Sequence, residues 1–154
     1  MSLGDYLLRE NILADFSARN KEEALASLVG QACLNCPGLD KPKALEVLRQ
    51  RETLGSTGIG DGLAIPHGKV EGCPRIVVIL ARSRAGCDFN SVDGRECRIL
   101  CLLLAPPEAA GTYLNVLGRF ARIFRSEELK ESFMAAASAK DIWNMLETAW
   151  NEHA

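Results

Sequence analysis

The chain has 154 residues, of which 47% are hydrophobic, and a formal net charge of −2. This length suits one compact α/β domain that can bury a substantial core, and it is too short for two such domains. Lysine and arginine form no dense run that could neutralise a series of phosphates, so the composition argues against a nucleic-acid partner.

Targeting and redox signals are weak. The N-terminus has no basic segment followed by an apolar one, and the longest apolar run, residues 99–107, is far shorter than the roughly 20 residues of a membrane-spanning helix. We therefore expect a cytoplasmic protein without membrane insertion.

The six cysteines are expected to be reduced thiols. Cys33 and Cys36 have the spacing of half a zinc site, but no second Cys or His pair matches it, so no metal is expected.

The first half of the chain predicts two helices and a loop. Asn20 is a typical N-cap for a helix with apolar residues at helical spacing, which ends before the Cys-Pro-Gly segment at 36–38. Pro42 is placed to begin a second helix, which carries the chain to Arg51. Four glycines then fall within residues 55–62 and predict an irregular loop.

The remaining chain predicts a sheet and further helices. Residues 63–66 form a short apolar segment whose proline favours an edge strand or a strand end, with His67 at its tip. Residues 75–82 and 98–105 are continuous aliphatic runs, typical of central strands buried on both faces. Helices are predicted over 113–124, from Ser126, and over 138–150. The sequence thus predicts one α/β domain over residues 1–154, with a central mixed β-sheet flanked by helices on both faces.

The glycine-rich segment 51–69 is the candidate functional region, because its glycines and hydroxyls can present backbone N–H groups to an anion such as phosphate. Two nucleotide-binding motifs fail here. A P-loop needs four residues between its glycines, whereas Gly62 and Gly68 enclose five, and Lys69 is not followed by Ser or Thr. The dinucleotide fingerprint fails because Leu63 stands where its third glycine is required.

His67 is the candidate nucleophile of this segment. It lies in a Pro-His-Gly sequence that predicts a rigid turn, and Arg51 at the end of the preceding helix supplies a positive charge. Imidazole titrates near pH 6.5, so at neutral pH its free nitrogen can attack phosphorus without a separate base. The alternative is that His67 only satisfies the turn, and the residues by themselves leave both interpretations open.

A family resemblance separates these alternatives. The run LGSTGIGDGLAIPHGKV at 54–70, with Arg51 ahead of it, resembles the active-site signature of the type 2 IIA domains of the bacterial phosphoenolpyruvate:sugar phosphotransferase system. This group contains fructose, mannitol and nitrogen-regulatory types, and the chain is most similar to the nitrogen-regulatory type. The likeness continues through residues 87–94 and 113–124 and covers nearly the whole chain.

The resemblance implies specific roles. A small histidine phosphocarrier protein would donate a phosphoryl group to Nε2 of His67, giving a phosphohistidine intermediate, and Arg51 would bind the phosphate. Ser56 and Thr57 could add hydroxyl donors to the phosphate, although in so tight a loop they could equally form turns. The resemblance implies no metal or organic cofactor. The downstream partner would be a regulated protein or a IIB component.

One position departs from the family. Its second site histidine aligns with Tyr113, which can donate an O–H but cannot carry a proton on and off near neutral pH. Three functions therefore remain open: a phosphotransferase-type phosphocarrier, a regulatory binding module of the same fold that does not transfer phosphate, and a sugar-specific IIA component that feeds a separate IIB protein or permease. Tyr113 could also be an ordinary packed aromatic residue.

Overall fold

The computed structural model describes residues 1–153. They form a mixed β-sheet with helices on both faces. The strands are β1 (Ile12–Leu13), β2 (Gly58–Gly60), β3 (Leu63–Ala64), β4 (His67–Lys69), β5 (Val77–Cys87) and β6 (Cys97–Ala105). The α-helices are α1 (Lys21–Asn35), α2 (Lys41–Thr53), α3 (Ala110–Ile123), α4 (Glu127–Ala135) and α5 (Ala139–Glu152). The predicted fold class is confirmed.

Strand β6 lies at the centre of the sheet. The strand order is β1-β5-β6-β3-β2, and β4 also pairs with β6. Strands β5 and β6 are antiparallel, whereas β3 and β4 both run parallel to β6 along the same edge. Strand β3 pairs with the start of β6 at Ile99, and β4 pairs further along, where His67 lies opposite Leu103. The predicted central pair of strands is confirmed.

The sheet separates two hydrophobic cores. Alternate residues of β5 point to opposite faces, as strand geometry requires: Val78 and Leu80 join one core, and Val77 and Ile79 join the other. The first core packs against α3, α4 and α5, and the second packs against α1 and α2. Both faces of the central strands are therefore buried, as the continuous apolar runs predict.

Side-chain caps explain where the helices begin. Asn20 accepts a hydrogen bond from the backbone N–H three residues on at 3.0 Å, and Asp40 does the same for α2, with Pro42 in its first turn. Ser126 and Ser138 cap α4 and α5 in the same way, both at 3.2 Å. The predicted helix starts at these positions are confirmed. No helix within residues 1–153 is long and apolar enough to span a bilayer.

The glycine-rich segment departs from the predicted loop. Strands β2 and β3 form a hairpin whose two turn residues, Asp61 and Gly62, have φ values of 55° and 81°. Positive φ at both central positions is typical of the tight type I′ turn, whose twist matches that of paired strands. The prediction of an irregular loop was therefore wrong over residues 58–60. Strand β3 is also an inner strand, between β6 and β2, and it ends before Pro66.

His67 begins a strand and does not lie in a free turn. The backbone N–H of Leu103 donates to the carbonyl of Pro66 at 3.0 Å, and His67, Gly68 and Lys69 then pair with β6 in parallel register. The predicted turn was wrong because Pro66 lacks only an N–H donor, while its carbonyl still joins the ladder. The backbone that carries the imidazole is thus part of the sheet.

A buried arginine ties β5 to the helical layer. The Arg82 side chain is 1% exposed, and its guanidinium donates hydrogen bonds to backbone carbonyls of Ala14 at 3.0 Å, Phe133 at 3.0 Å and Ala136 at 2.6 Å. Two of these carbonyls belong to the C-terminal end of α4, where backbone acceptors lack helical partners. Arg82 therefore fastens that helix end and the N-terminal segment to the sheet.

Candidate functional site

A cavity of about 650 Å³ opens beside His67, between α2, β4 and α3. Arg51, His67 and Tyr113 all line it, together with the exposed apolar side chains of Leu54 and Leu114. The structure thus brings together three of the residues singled out from the sequence. They come from three separate elements: the last turn of a helix, the start of a strand and the first turn of another helix.

The imidazole of His67 is held in one orientation. Its Nδ1 lies 2.7 Å from the carbonyl oxygen of Ile65. A carbonyl oxygen can only accept, so Nδ1 carries the hydrogen and the lone pair lies on Nε2. Burial lowers the pKa of His67 below its usual 6.5, and the positive charge of Arg51 lowers it further, against the opposing effect of the Ile65 carbonyl. His67 is therefore neutral at neutral pH, with Nε2 available as a nucleophile.

Arg51 reaches the cavity from the last turn of α2. Its Nη1 donates to the backbone carbonyl of Gly55 at 2.9 Å, which fixes the guanidinium against the start of the glycine-rich segment. Among residues 1–153 its other N–H groups have no protein hydrogen-bond partner, and the residue is half-buried. A guanidinium presents five donors in a planar fork, so donors remain for an anion in the cavity.

Gly68 allows α2 to approach β4 closely. A methyl group at Gly68 would lie 2.5 Å from Cγ1 of Val47 and 3.9 Å from Cδ2 of Leu48. Val47 lies one helical turn before Arg51, so the contact that needs a glycine also sets the distance between the Arg51 side chain and His67. Sequence reasoning missed this role for Gly68, because the helix that it touches is distant in the chain.

Tyr113 stands beside the imidazole. The ring centroids of His67 and Tyr113 are 6.3 Å apart, and the ring planes are inclined by 49°. Tyr113 is 5% exposed, and its hydroxyl has no hydrogen-bond partner among the described residues. Burial raises the pKa of Tyr113 to about 12, with Arg51 opposing the shift. The hydroxyl therefore stays protonated and can donate a hydrogen bond into the cavity.

Ser56 and Thr57 do not line this cavity. Thr57 donates from its backbone N–H to the Glu52 carboxylate at 3.0 Å, and its hydroxyl donates to the same carboxylate. The Ser56 hydroxyl donates to the carbonyl of Phe89 at 3.1 Å and accepts from the N–H of Gly58 at 3.0 Å. Both hydroxyls thus hold the glycine-rich segment in place, and a contact with phosphate stays a prediction.

Glu52 organises this arrangement from the end of α2. Its carboxylate forms an ion pair with Lys21 at 2.8 Å, and the Lys21 ammonium also lies 5.1 Å from the Phe89 ring centroid. Glu52 therefore links α1, α2 and the glycine-rich segment next to the His67 cavity. Sequence reasoning missed this link, since no local pattern relates Lys21 to Glu52.

The cysteines lie away from this cavity. All six are free thiols, and Cys97 and Cys101 are buried in β6, as predicted for an apolar strand. Cys33 lies in the last turns of α1, and its thiol contacts the carbonyl of Leu39 at 3.6 Å. Among residues 1–153, no group of three or more His, Cys, Asp or Glu side chains is arranged to hold a metal ion.

Comparison with known proteins identifies the family. A family model for the phosphoenolpyruvate-dependent sugar phosphotransferase system, EIIA 2, matches residues 5–149. The chain belongs to this EIIA family. It is a phosphocarrier or regulatory component of the phosphotransferase system, as the glycine-rich signature and its histidine predict.

Individual relatives support the same assignment. The chain is 36% identical over 146 residues to the "Nitrogen regulatory protein" of Bradyrhizobium diazoefficiens, covering 95% of each sequence. The crystal structure of IIA-Ntr from Neisseria meningitidis superposes with a TM-score of 0.86 at 30% identity, covering 94% of this chain and 98% of that one. A fructose-specific EIIABC component of Bacillus subtilis is 28% identical over 155 residues, and the match spans 24% of its length. The predicted likeness to nitrogen-regulatory EIIA proteins is confirmed.

Proposed function

We propose that this EIIA domain accepts a phosphoryl group on Nε2 of His67 from a phosphorylated histidine of a small carrier protein. The main support for this proposal is the hydrogen bond between Nδ1 and the Ile65 carbonyl, because it leaves Nε2 with a free lone pair. That nitrogen belongs to a ring that lines an open cavity together with Arg51.

The transfer balances as an in-line displacement. The Nε2 lone pair forms a new N–P bond, the donor's N–P bond breaks, and its electron pair returns to the donor imidazole. Nδ1 keeps its proton during this step, so the His67 ring gains positive character that the Ile65 carbonyl oxygen stabilises. Both phosphoramidates are similar in energy, so positioning and charge neutralisation suffice, and no metal or cofactor is needed.

Arg51 and Tyr113 act on the phosphoryl oxygens in this proposal. The free guanidinium donors of Arg51 bind a group that carries nearly two negative charges. The Tyr113 hydroxyl, which stays protonated, adds a neutral donor from α3. Thr57 holds the segment in place through Glu52, and Ser56 does so through Phe89 and Gly58. Direct contact of their hydroxyls with phosphate belongs to the same set of predictions.

A regulatory role downstream is the second candidate. Tyr113 favours it, because a tyrosine with a pKa of about 12 cannot shuttle a proton during onward transfer. In this form the chain is a binding module whose partner responds to the charge on His67, and phosphate need not leave for a protein acceptor. The named nitrogen-regulatory relatives favour a regulated protein over a IIB component or permease as partner. A cytoplasmic location belongs to this proposal, since the carrier must meet the chain there.

Intact-mass analysis tests the acceptor. Wild type and His67→Gln are incubated with phosphoenolpyruvate, the general phosphotransferase enzyme and its histidine carrier. Wild type should gain about 80 Da, one phosphoryl group, in an acid-labile form, and His67→Gln should gain nothing. Equal modification of both proteins would refute His67 as the acceptor.

A second assay separates the two candidate functions. Phosphorylated protein is isolated and mixed with unphosphorylated carrier, and the loss of the added mass is followed over time. Return of phosphate to the carrier supports a phosphocarrier, because the displacement is reversible when both phosphoramidates have similar energy. Retention of phosphate on His67 supports the regulatory module.

A further inference from the structure

A second cavity lies on the other side of α3 from the His67 cavity. It has a volume of about 240 Å³ and is formed by α3, the end of α5 and the N-terminus. Its lining side chains are those of Met1, Leu114, Asn115, Arg119, Arg122 and His153. None of them is acidic, and two are arginines. Leu114 also lines the His67 cavity, so the two cavities are neighbours with separate polar groups.

Arg119 is a buried cation without an anionic partner. The residue is 6% exposed, its Nε is buried without a hydrogen-bond partner, and no ion pair within residues 1–153 involves it. Its guanidinium lies 4.1 Å from the ring centroid of Trp150. Stacking on an aromatic face stabilises the charge from one side only and leaves the in-plane N–H donors unpaired. A buried charge without a partner is energetically costly. An anion in the cavity would supply the partner that the Arg119 guanidinium lacks.

The neighbouring groups select for negative charge. Arg122 lies one position short of a full turn further along α3, is exposed, and forms no ion pair among the described residues. The Asn115 amide and the His153 imidazole can add N–H donors to the same cavity. Two guanidinium forks on one helix face match the paired oxygens of a phosphate or carboxylate group.

We infer that this cavity binds a small dianion through Arg119 and Arg122, either a phosphate compound or a dicarboxylate. The volume of about 240 Å³ admits a small anion. The Trp150 ring lies beneath the Arg119 guanidinium. The bound anion accepts hydrogen bonds from the N–H donors that the protein leaves unpaired.

The test follows the side-chain N–H of Arg119 by NMR. The full ¹⁵N-labelled chain is titrated with sodium phosphate, sodium pyrophosphate and disodium succinate at constant ionic strength. We expect the Arg119 Nε–H signal to shift saturably with at least one of them, and comparison of the phosphates with succinate shows which anion class the site takes. The Arg51 Nε–H signal reports separately on the His67 cavity, so failure here does not depend on phosphoryl transfer.

Two exposed arginines provide the matched variants. Arg122→Gln should weaken binding at least about tenfold, because it removes charge-assisted hydrogen bonds to the anion. Arg125→Gln removes the same charge just after α3, outside this cavity, and should change the affinity by less than about twofold because its field is screened. Shifts that never saturate, that sodium chloride reproduces, or that both variants reduce equally would overturn the inference.

Discussion

Substitution of Gly68 by alanine tests how the site is held together. The added methyl carbon would lie 2.5 Å from Cγ1 of Val47, about 1 Å inside the 3.5–4.0 Å at which carbon atoms pack favourably. Helix α2 must then move away from β4, and Arg51 moves with it. Overpacking of this kind costs about 1–3 kcal/mol of stability, and a displacement of about 1 Å in a reactive site can slow a reaction roughly 100-fold.

Two measurements follow from this displacement. The rate of phosphorylation of His67 by the carrier should fall by one to two orders of magnitude, roughly, in Gly68→Ala. The melting temperature should fall by about 2–4 °C for each kcal/mol of lost stability. Adding Val47→Ala removes the clashing Cγ1, so the double variant Gly68→Ala/Val47→Ala should phosphorylate faster than Gly68→Ala alone.

Gly111 offers a matched control. It lies in α3 near Tyr113, and a methyl group there would meet no atom within 4 Å. Gly111→Ala should leave the phosphorylation rate unchanged and stabilise the helix by about 0.5–1 kcal/mol. A Gly68→Ala protein with the wild-type rate and melting temperature would show that the contact with Val47 does not position Arg51. A double variant that recovers neither property would point to the same conclusion.

Four further predictions concern single side chains. Arg51→Ala should slow phosphorylation of His67 by about 10- to 100-fold, because one charge-assisted interaction contributes about 1.5–3 kcal/mol. The melting temperature should not fall. Unchanged kinetics would show that Arg51 does not belong to the site. Tyr113→His should speed the return of phosphate to the carrier, and an equal rate would mark Tyr113 as packing. The NMR titration midpoint of His67 should lie below 6.5, and a midpoint at or above 6.5 would contradict this. Phosphate acceptance should therefore persist as the pH falls to 6.5. It should decline only below the pKa of His67 in the folded protein, because protonation removes the Nε2 lone pair. Arg82→Met should cost about 3–5 kcal/mol in denaturant unfolding, because buried carbonyls lose their donors, and a loss below about 1 kcal/mol would show that water replaces them.

The helices and the two long strands could be predicted because their signals are local. Asn20, Ser126 and Ser138 cap helices through backbone groups only three residues away. The chain is apolar without interruption over residues 76–81, which enter β5, and over residues 99–105 of β6, as burial on both faces requires. The two-residue strand β1 was missed, since so short a segment has no period to detect.

The glycine-rich segment was harder to predict. Its hairpin did have a local signal, since Asp61-Gly62 is a favoured pair for a two-residue turn. The strand at His67 had none, because its pairing depends on Leu103 in a distant part of the chain. The family signature singled out His67 and Arg51 as candidates, and the structure shows that both line one cavity. The supporting contacts of Gly68 and Glu52 arise only from tertiary packing.

The pairing of His67 with β6 constrains how phosphorylation can act as a signal. Residues 67–69 are held in register along a central strand, and the imidazole is fastened to the Ile65 carbonyl, so the histidine has little room to swing. Adding a phosphoryl group would change the local charge by nearly two units while the surrounding backbone stays in place. Partners would then distinguish the two states by their electrostatic field, and the salt dependence of each complex would differ more than its shape.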